Sequence, residues 1–410
     1  MASSFSRSLV FALALALGGG AVTAAPKKKA AAEKKAGKGA KAPEQKAPES
    51  KPAAAESAAG PAAEKKKEER KGPAKFDYTK APKLDDAKKE EGANKAREES
   101  IDRLKSIIGR LKGESPEKAE MLFQLSELYW EKSKYLKMKE QRGYDEAYAA
   151  YEKALNQGQK VKEPKLDTRE SELFRSETMR LYETILRDYP SYDRKDEVLF
   201  NLAYNLYETG KKEGAVKRYE ELLKGYPDSK LVADAYIQLG NHYFENNSLA
   251  RAEDNYKKAA ATKIPKIYSY ATYKLGWCDF NAGKLEEGLK KMQAVVAFSE
   301  GSGKEYVDLK NEALSDMVTF YVQLNEVRVA IDYFRAHAPK KRQARLIGRL
   351  SDGLAGAGHH EKAIEGYTYL INEAPMGPNA PEHQQAIVRS YEGLRQRDKV
   401  KSEIKKLVDL

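Results

Sequence analysis

The stretch Tyr236-Ile237-Gln238-Leu239-Gly240-Asn241-His242-Tyr243, continued by Ala252, Tyr256 and Ala259, carries apolar side chains at helical spacing around one small residue. Gly240 stands 12 residues before Ala252, and two small side chains at that interval face each other when antiparallel helices meet across a tight turn. The same interval recurs between Ala203 and Ala215, Gly276 and Gly288, Val318 and Ala330, and Ser351 and Ala363. The first members of these pairs are spaced 37, 36, 42 and 33 residues apart. Such a period marks a stack of helical hairpins rather than one globular core. The expected fold class is all-α, an α-solenoid, and its leading function is binding rather than catalysis.

Helical periodicity begins near Asn94: Ile101, Leu104, Ile107, Ile108 and Leu111 share one face, as do Leu122, Leu125, Leu128 and Tyr129. No alternating strand pattern competes. Turns are signalled by Gly113-Glu114-Ser115-Pro116, Tyr189-Pro190-Ser191, Tyr226-Pro227-Asp228-Ser229 and Ala374-Pro375. Beyond the five clear units, Leu125-Ser126 and Tyr129, followed by Ala147, Tyr151 and Ala154, read as a stretched sixth hairpin. Leu173 to Pro190 reads as a second helix whose first helix is degenerate or replaced by a loop over 158–167. Terminal helices from about Asn94 and about Glu382 are expected to cap the stack, with 399–410 polar on the outer face.

These units resemble the tetratricopeptide repeat (TPR) family, whose repeat has a bulky residue, Leu-Gly, an aromatic, and then Ala, an aromatic, Ala and Pro at fixed offsets. Tyr236, Leu239-Gly240, Tyr243, Ala252, Tyr256 and Ala259 carry that pattern in full, and Leu202-Ala203, Leu206, Ala215, Tyr219, Leu222 and Pro227 carry it as well. In the unit of Leu275-Gly276, Asp279 occupies the place of the aromatic. The resemblance spans about 95–410 and implies a TPR-type α-solenoid, a right-handed superhelix of about six to seven hairpins whose groove is lined by first helices. Carried onto this sequence, the family's groove positions select Phe200, Tyr204 and Tyr207, then Ile237, Asn241 and Phe244, then Tyr273, Trp277 and Phe280. Phe200 and Ile237 have an alternative place between hairpins, since aromatic and aliphatic side chains at helical spacing commonly form core. Trp277 and Phe280 are the leading surface candidates, because ring faces bury apolar atoms of a bound peptide.

The N-terminus is of another character. Arg7 precedes the apolar run Leu9–Leu17, three glycines follow, and Val22-Thr23-Ala24 has the small residues of a cleavage site, so residues 1–24 are read as a cleavable signal peptide. No cysteine lies just after that run, the single one being Cys278 far downstream, which argues against a lipoprotein. Residues 25–94 are rich in Ala, Lys, Pro and Glu and are expected to form a disordered basic linker. Residues 26–100 hold 21 Lys and Arg against 14 Asp and Glu, supplying +7 of the net charge of +12. That charge suits anionic lipid, a cell-wall polymer or an acidic partner, and an exported chain is not expected to bind nucleic acid specifically.

No phosphate-binding loop, zinc-protease helix or nucleophile motif is present, so the chain is read as a non-enzyme without cofactor or metal. His359-His360 is read as a solvated turn pair, and Cys278, the single cysteine, as a core residue. The segments 122–133, 273–278 and 311–317 resemble periplasmic TPR proteins of the adventurous gliding-motility machinery. That likeness implies an envelope scaffold that binds other envelope proteins or peptides, a second TPR protein among them. The segment Tyr226–Tyr236 resembles the repeats of outer-membrane assembly lipoproteins and of a cell-division coordinator, which is the alternative role.

Overall fold

The computed structural model describes the backbone of residues 84–301 and 309–409; the expected leader and the linker as far as residue 83 lie outside the described residues. Cα packing divides the chain into Met1–Glu91 and Gly92–Leu410, and the helical array belongs to the second unit. The described residues form fifteen α-helices and no strand: α1 Leu84–Arg110, α2 Pro116–Asn156, α3 Arg169–Asp188, α4 Lys195–Glu208, α5 Lys212–Gly225, α6 Val232–Glu245, α7 Leu249–Ala261, α8 Pro265–Asn281, α9 Leu285–Gly301, α10 Lys310–Leu324, α11 Val327–His337, α12 Lys340–Gly356, α13 His360–Glu373, α14 Ala380–Gly393 and α15 Arg397–Asp409. None of the described helices is long and apolar enough to cross a membrane.

From α2 onward the helices pair as seven hairpins, and each hairpin packs on its sequence neighbours, as a solenoid requires. The 12-residue intervals fall where two helices meet. A Cβ built on Gly240 would lie 2.5 Å from the Tyr256 ring, and one on Gly288 would lie 2.7 Å from the carbonyl oxygen of Gly276. Ala203, Ala215, Ala252, Ala330 and Ala363 are all fully buried.

From α4 onward each first helix ends in the same way. Gly210, Asn247, Gly283, Asn325, Gly358 and Arg395 all have left-handed backbone, with φ from 56 to 86°. Each lies seven residues after the small residue of its unit, and the backbone N–H that follows it bonds back across the turn, as Lys211 does to Leu206 and Lys284 to Asp279. The set includes Arg395, seven residues after Val388, and so reveals a seventh unit with Val388 and Val400 in the places of the small pair. Sequence reading took this region for a cap. Its last helix was expected to be polar on the outer face, yet Ile404 and Val408 stand exposed there, with Val400 and Leu407 partly buried.

Three further expectations are corrected. Helix α1 begins at Leu84, about ten residues before the expected start; its first turns, Leu-Asp-Asp-Ala-Lys-Lys-Glu-Glu, are helix-forming but have no apolar stripe to betray them. Residues 116–156 are one helix of 41 residues, so Ala147, Tyr151 and Ala154 do not belong to a second helix folded back on Tyr129. The partner of α2 is α3, and the two form the first hairpin. Finally, His360 opens α13 and lies against the end of α14, where a Cβ on Gly393 would meet its ring at 2.5 Å.

Where Asp279 replaces the aromatic of the repeat, the carboxylate is buried and takes a hydrogen bond from Lys291 Nζ on α9. An ion pair thus joins α8 to α9 where ring packing joins other hairpins, and the glycines at 276 and 288 give the space for it. Cys278 beside it is buried, and burial pushes its thiol up to about 12.

Candidate functional site

The first helices α2, α4, α6, α8, α10 and α12 are tied one to the next along one wall, and every tie uses an aromatic or polar side chain. Between α2 and α4, Trp130 meets Tyr204 edge-on at 6.3 Å and Asn201 donates to Glu127 across 3.1 Å. From α4 to α6, Tyr207 donates its hydroxyl to Glu245 at 2.5 Å and lies edge-on to His242. Lys274 of α8 sits 4.4 Å over the ring of Phe244, and Tyr270 donates to Asn241. Tyr273 and Trp277 of α8 both donate to Asp316 of α10, while Phe280 packs edge-on to Phe320 at 4.8 Å. Arg342 of α12 closes the series on Ser315 of α10 at 3.0 Å.

Seven of the eight candidate residues, Tyr204, Tyr207, Asn241, Phe244, Tyr273, Trp277 and Phe280, are neither buried nor fully exposed. Each therefore leaves part of its surface uncovered while another part packs within the array. Phe200 is different. It is buried and lies edge-on to Tyr219 of α5, so it belongs to the interior of its hairpin and is withdrawn from the wall. Ile237 is buried as well. At 3.6 residues per turn each lies within about 40° of the wall residues of its own helix, so spacing alone does not separate buried from half-exposed positions on that face. Asn241 uses its amide oxygen inside the array, accepting from the buried Tyr256 at 2.7 Å and from Tyr270 at 3.2 Å.

Electrostatics on this wall follow burial. Removal from water raises the Glu127 carboxyl, with the Tyr182 hydroxyl acting the other way, and raises Asp316 against the pull of Tyr273 and Trp277. Burial lowers Lys274. It also acts to raise Glu245, but hydrogen bonds from Tyr207 and Lys212 outweigh it and hold that carboxyl below its ordinary range. Sequence reading missed the acids and the lysine that hold the rings. Asp316 lies 39 residues from Trp277, and no local pattern announces such a pairing.

A second concavity, of about 740 Å³, opens on the other side between α5 and α7 and is floored by Tyr236, Leu239 and Tyr243. Its rim pairs Lys258 with Asp254 at 2.8 Å and is mixed in charge. Among the described residues no group of three His, Cys, Asp or Glu side chains comes together as a metal site would require.

Residues 197–229, which cover α4, α5 and the turn after them, match the tetratricopeptide repeat family. The fold is a solenoid of TPR type. Similar solved structures include YrrB, described as a TPR protein with an unusual peptide-binding site, at 18% identity and a TM-score of 0.35, covering 50% of this chain and 97% of that one. MamA from Desulfovibrio magneticus is 16% identical with a TM-score of 0.33, covering 48% of this chain and 95% of its own. Pseudomonas aeruginosa PilF is 17% identical with a TM-score of 0.31, covering 52% and 91%. No curated protein matches the sequence.

Proposed function

We propose that this chain is a non-enzymatic scaffold of the cell envelope whose first-helix wall holds an extended or helical segment of a partner protein. The observation that supports the reading is the unbroken series of half-exposed aromatic and amide side chains from Tyr204 to Phe280, fixed in place by Glu245, Lys274 and Asp316. Rings already held by neighbours lose little freedom when a partner arrives, which lowers the cost of association. Two or three such rings supply several kcal/mol at roughly 25 cal/mol per Å² of apolar surface. Against an association cost of about 4–15 kcal/mol this gives micromolar binding of a single segment, so durable assembly calls for further contacts.

The leader-like residues 1–24 support export to the periplasm, and the likeness of segments 122–133, 273–278 and 311–317 supports a place in a gliding-motility machine. Photo-crosslinkers placed at Trp277 and Phe280 in intact cells test both parts. Capture of a motor or adhesion component supports the reading. Capture of barrel-assembly or wall-synthesis proteins replaces the gliding role with the alternative, and capture of nothing at either position, with the chain folded and exported, overturns the wall as a binding surface.

A further inference from the structure

Helix α2 runs on beyond its partner. Ser171, near the start of α3, binds Glu140 through both its backbone N–H and its hydroxyl, at 2.9 and 2.5 Å, and this marks the end of the paired part of α2. The last 16 residues of the helix, Gln141–Asn156, project past that point for about 24 Å at 1.5 Å per residue. The chain then returns without regular structure to Thr168.

The face of α2 that α3 covers does not stop at Glu140. Ser126, Tyr129, Ser133, Leu136 and Glu140 form one stripe at steps of three and four residues; Thr178 reaches Ser126, Phe174 meets the Tyr129 ring, and Ser171 holds Glu140. The same steps continue as Tyr144, Ala147, Tyr151 and Ala154. Before the arm these positions are buried or nearly so, whereas on it Ala147 is exposed and the others half-exposed. Ala147, Tyr151 and Ala154 also repeat the spacing of Ala252, Tyr256 and Ala259, which are fully covered by a helix. A Cβ on Gly143 would meet nothing within 4 Å. Five of the eleven large apolar side chains that stand exposed among the described residues, Met138, Leu155, Val161, Leu166 and Leu173, lie in this one region. The segment returning to Thr168 leaves Ala147 and Ala150 uncovered.

We propose that the helix completing this face is the arm of a second copy of the chain, laid antiparallel about position 149. This goes beyond the wall and does not depend on it. Reflection of the arm about 149 sets Gly143 level with Leu155, Tyr144 with Ala154, Ala147 with Tyr151, and Tyr148 with Ala150. Each of these four levels therefore holds one large and one small side chain, the condition for two helices to approach closely without voids. A two-fold pairing of this kind uses the same patch on both subunits and closes on itself. The aromatic ladder Tyr144–Tyr148–Tyr151, with successive ring centroids 5.8 Å apart, stiffens each arm before pairing.

Sedimentation of the full exported chain over a dilution series tests the proposal. A dimer is expected, and Ala147→Glu with Ala154→Glu weakens it by roughly tenfold or more, because two carboxylates enter a dry contact. Ala149→Glu, on the opposite face of the same helix, leaves it intact. All three positions are on the projecting helix, so unchanged helicity by circular dichroism shows that folding is not the cause. As a second measurement, Ala147→Cys combined with Tyr151→Cys gives a covalent dimer on mild oxidation, with Cys278 too buried to compete. A monomer at every concentration, equal weakening by Ala149→Glu, absence of the covalent dimer, or a monomer whose arm instead captures a different protein each overturns self-pairing.

Discussion

Trp277 on α8 donates its indole N–H to the carboxylate of Asp316 on α10 across 3.2 Å, and Tyr273 donates to the same carboxylate. One acid thereby orients two of the candidate binding rings. Asp316→Ala leaves both donors without their acceptor and is expected to cost about 1–3 kcal/mol of stability, while Asp316→Asn, which retains an oxygen there, costs less. Denaturant unfolding followed by tryptophan fluorescence reads both. Equal stability of Asp316→Ala and the parent chain would remove Asp316 from its orienting role.

Glycine at 288 is a requirement of distance. Its missing Cβ would lie 2.7 Å from both the Gly276 carbonyl oxygen and the Phe320 ring, one of them backbone that cannot rotate aside. Gly288→Ala is expected to destabilise the array by about 1–3 kcal/mol, the usual cost of overpacking. Gly143→Ala, in open space on a helix, is expected to stabilise slightly, by about 0.5–1 kcal/mol. Thermal unfolding of the two variants should shift in opposite directions.

Burial pushes the carboxyl of Asp234, in the first turn of α6, up to about 6, with Lys266 as the opposing charge. The folded chain holds this proton more tightly than the unfolded one. As pH rises from about 4 to 6 the folded state therefore loses stability through this group, and above that window the loss is complete. Asp234→Asn should unfold like the parent below pH 4 and be more stable above pH 6 by on the order of 2–3 kcal/mol. A stability difference that does not vary with pH would contradict a raised carboxyl.

Arg395 ends α14 at φ 59°, where three of the equivalent units carry Gly210, Gly283 and Gly358 and two carry Asn247 and Asn325. A side chain with a Cβ is disfavoured there by about 1–2 kcal/mol. Arg395→Gly is expected to raise the unfolding midpoint of the C-terminal hairpin, which hydrogen exchange resolves from the rest of the array. Unchanged or faster exchange of α14 and α15 would show the backbone there to be unstrained.

Much of this architecture was legible because its determinants are local. The 12-residue intervals reported the helix crossings directly, since only small side chains fit where Gly240 meets Tyr256 or Gly288 meets Gly276. The seventh unit escaped notice because Val388 and Val400 are both valine, whereas every other pair has Ala or Gly on at least one side, although Arg395 in the turn position takes the same backbone form as a glycine. The long helix was misread for a more instructive reason. Ala147, Tyr151 and Ala154 do spell the packing face of a second helix, but no turn separates them from Tyr129, and periodicity records a face without recording what covers it. At the candidate site the rings could be read from their spacing. Their distribution between wall and interior could not, because Phe200 is drawn inward by Tyr219 and Trp277 is held outward by Asp316, partners supplied by other helices.

Within the array each hairpin rests on its immediate neighbours, and α10 with α11 forms the thinnest contact of the described hairpins, α10 lying more firmly on α12. A pull along the array would pass directly between the first helices α10 and α12 and bypass that joint. The rings around Trp277 rest on α10 itself, through Asp316 and Phe320, so they would stay seated if α11 came away.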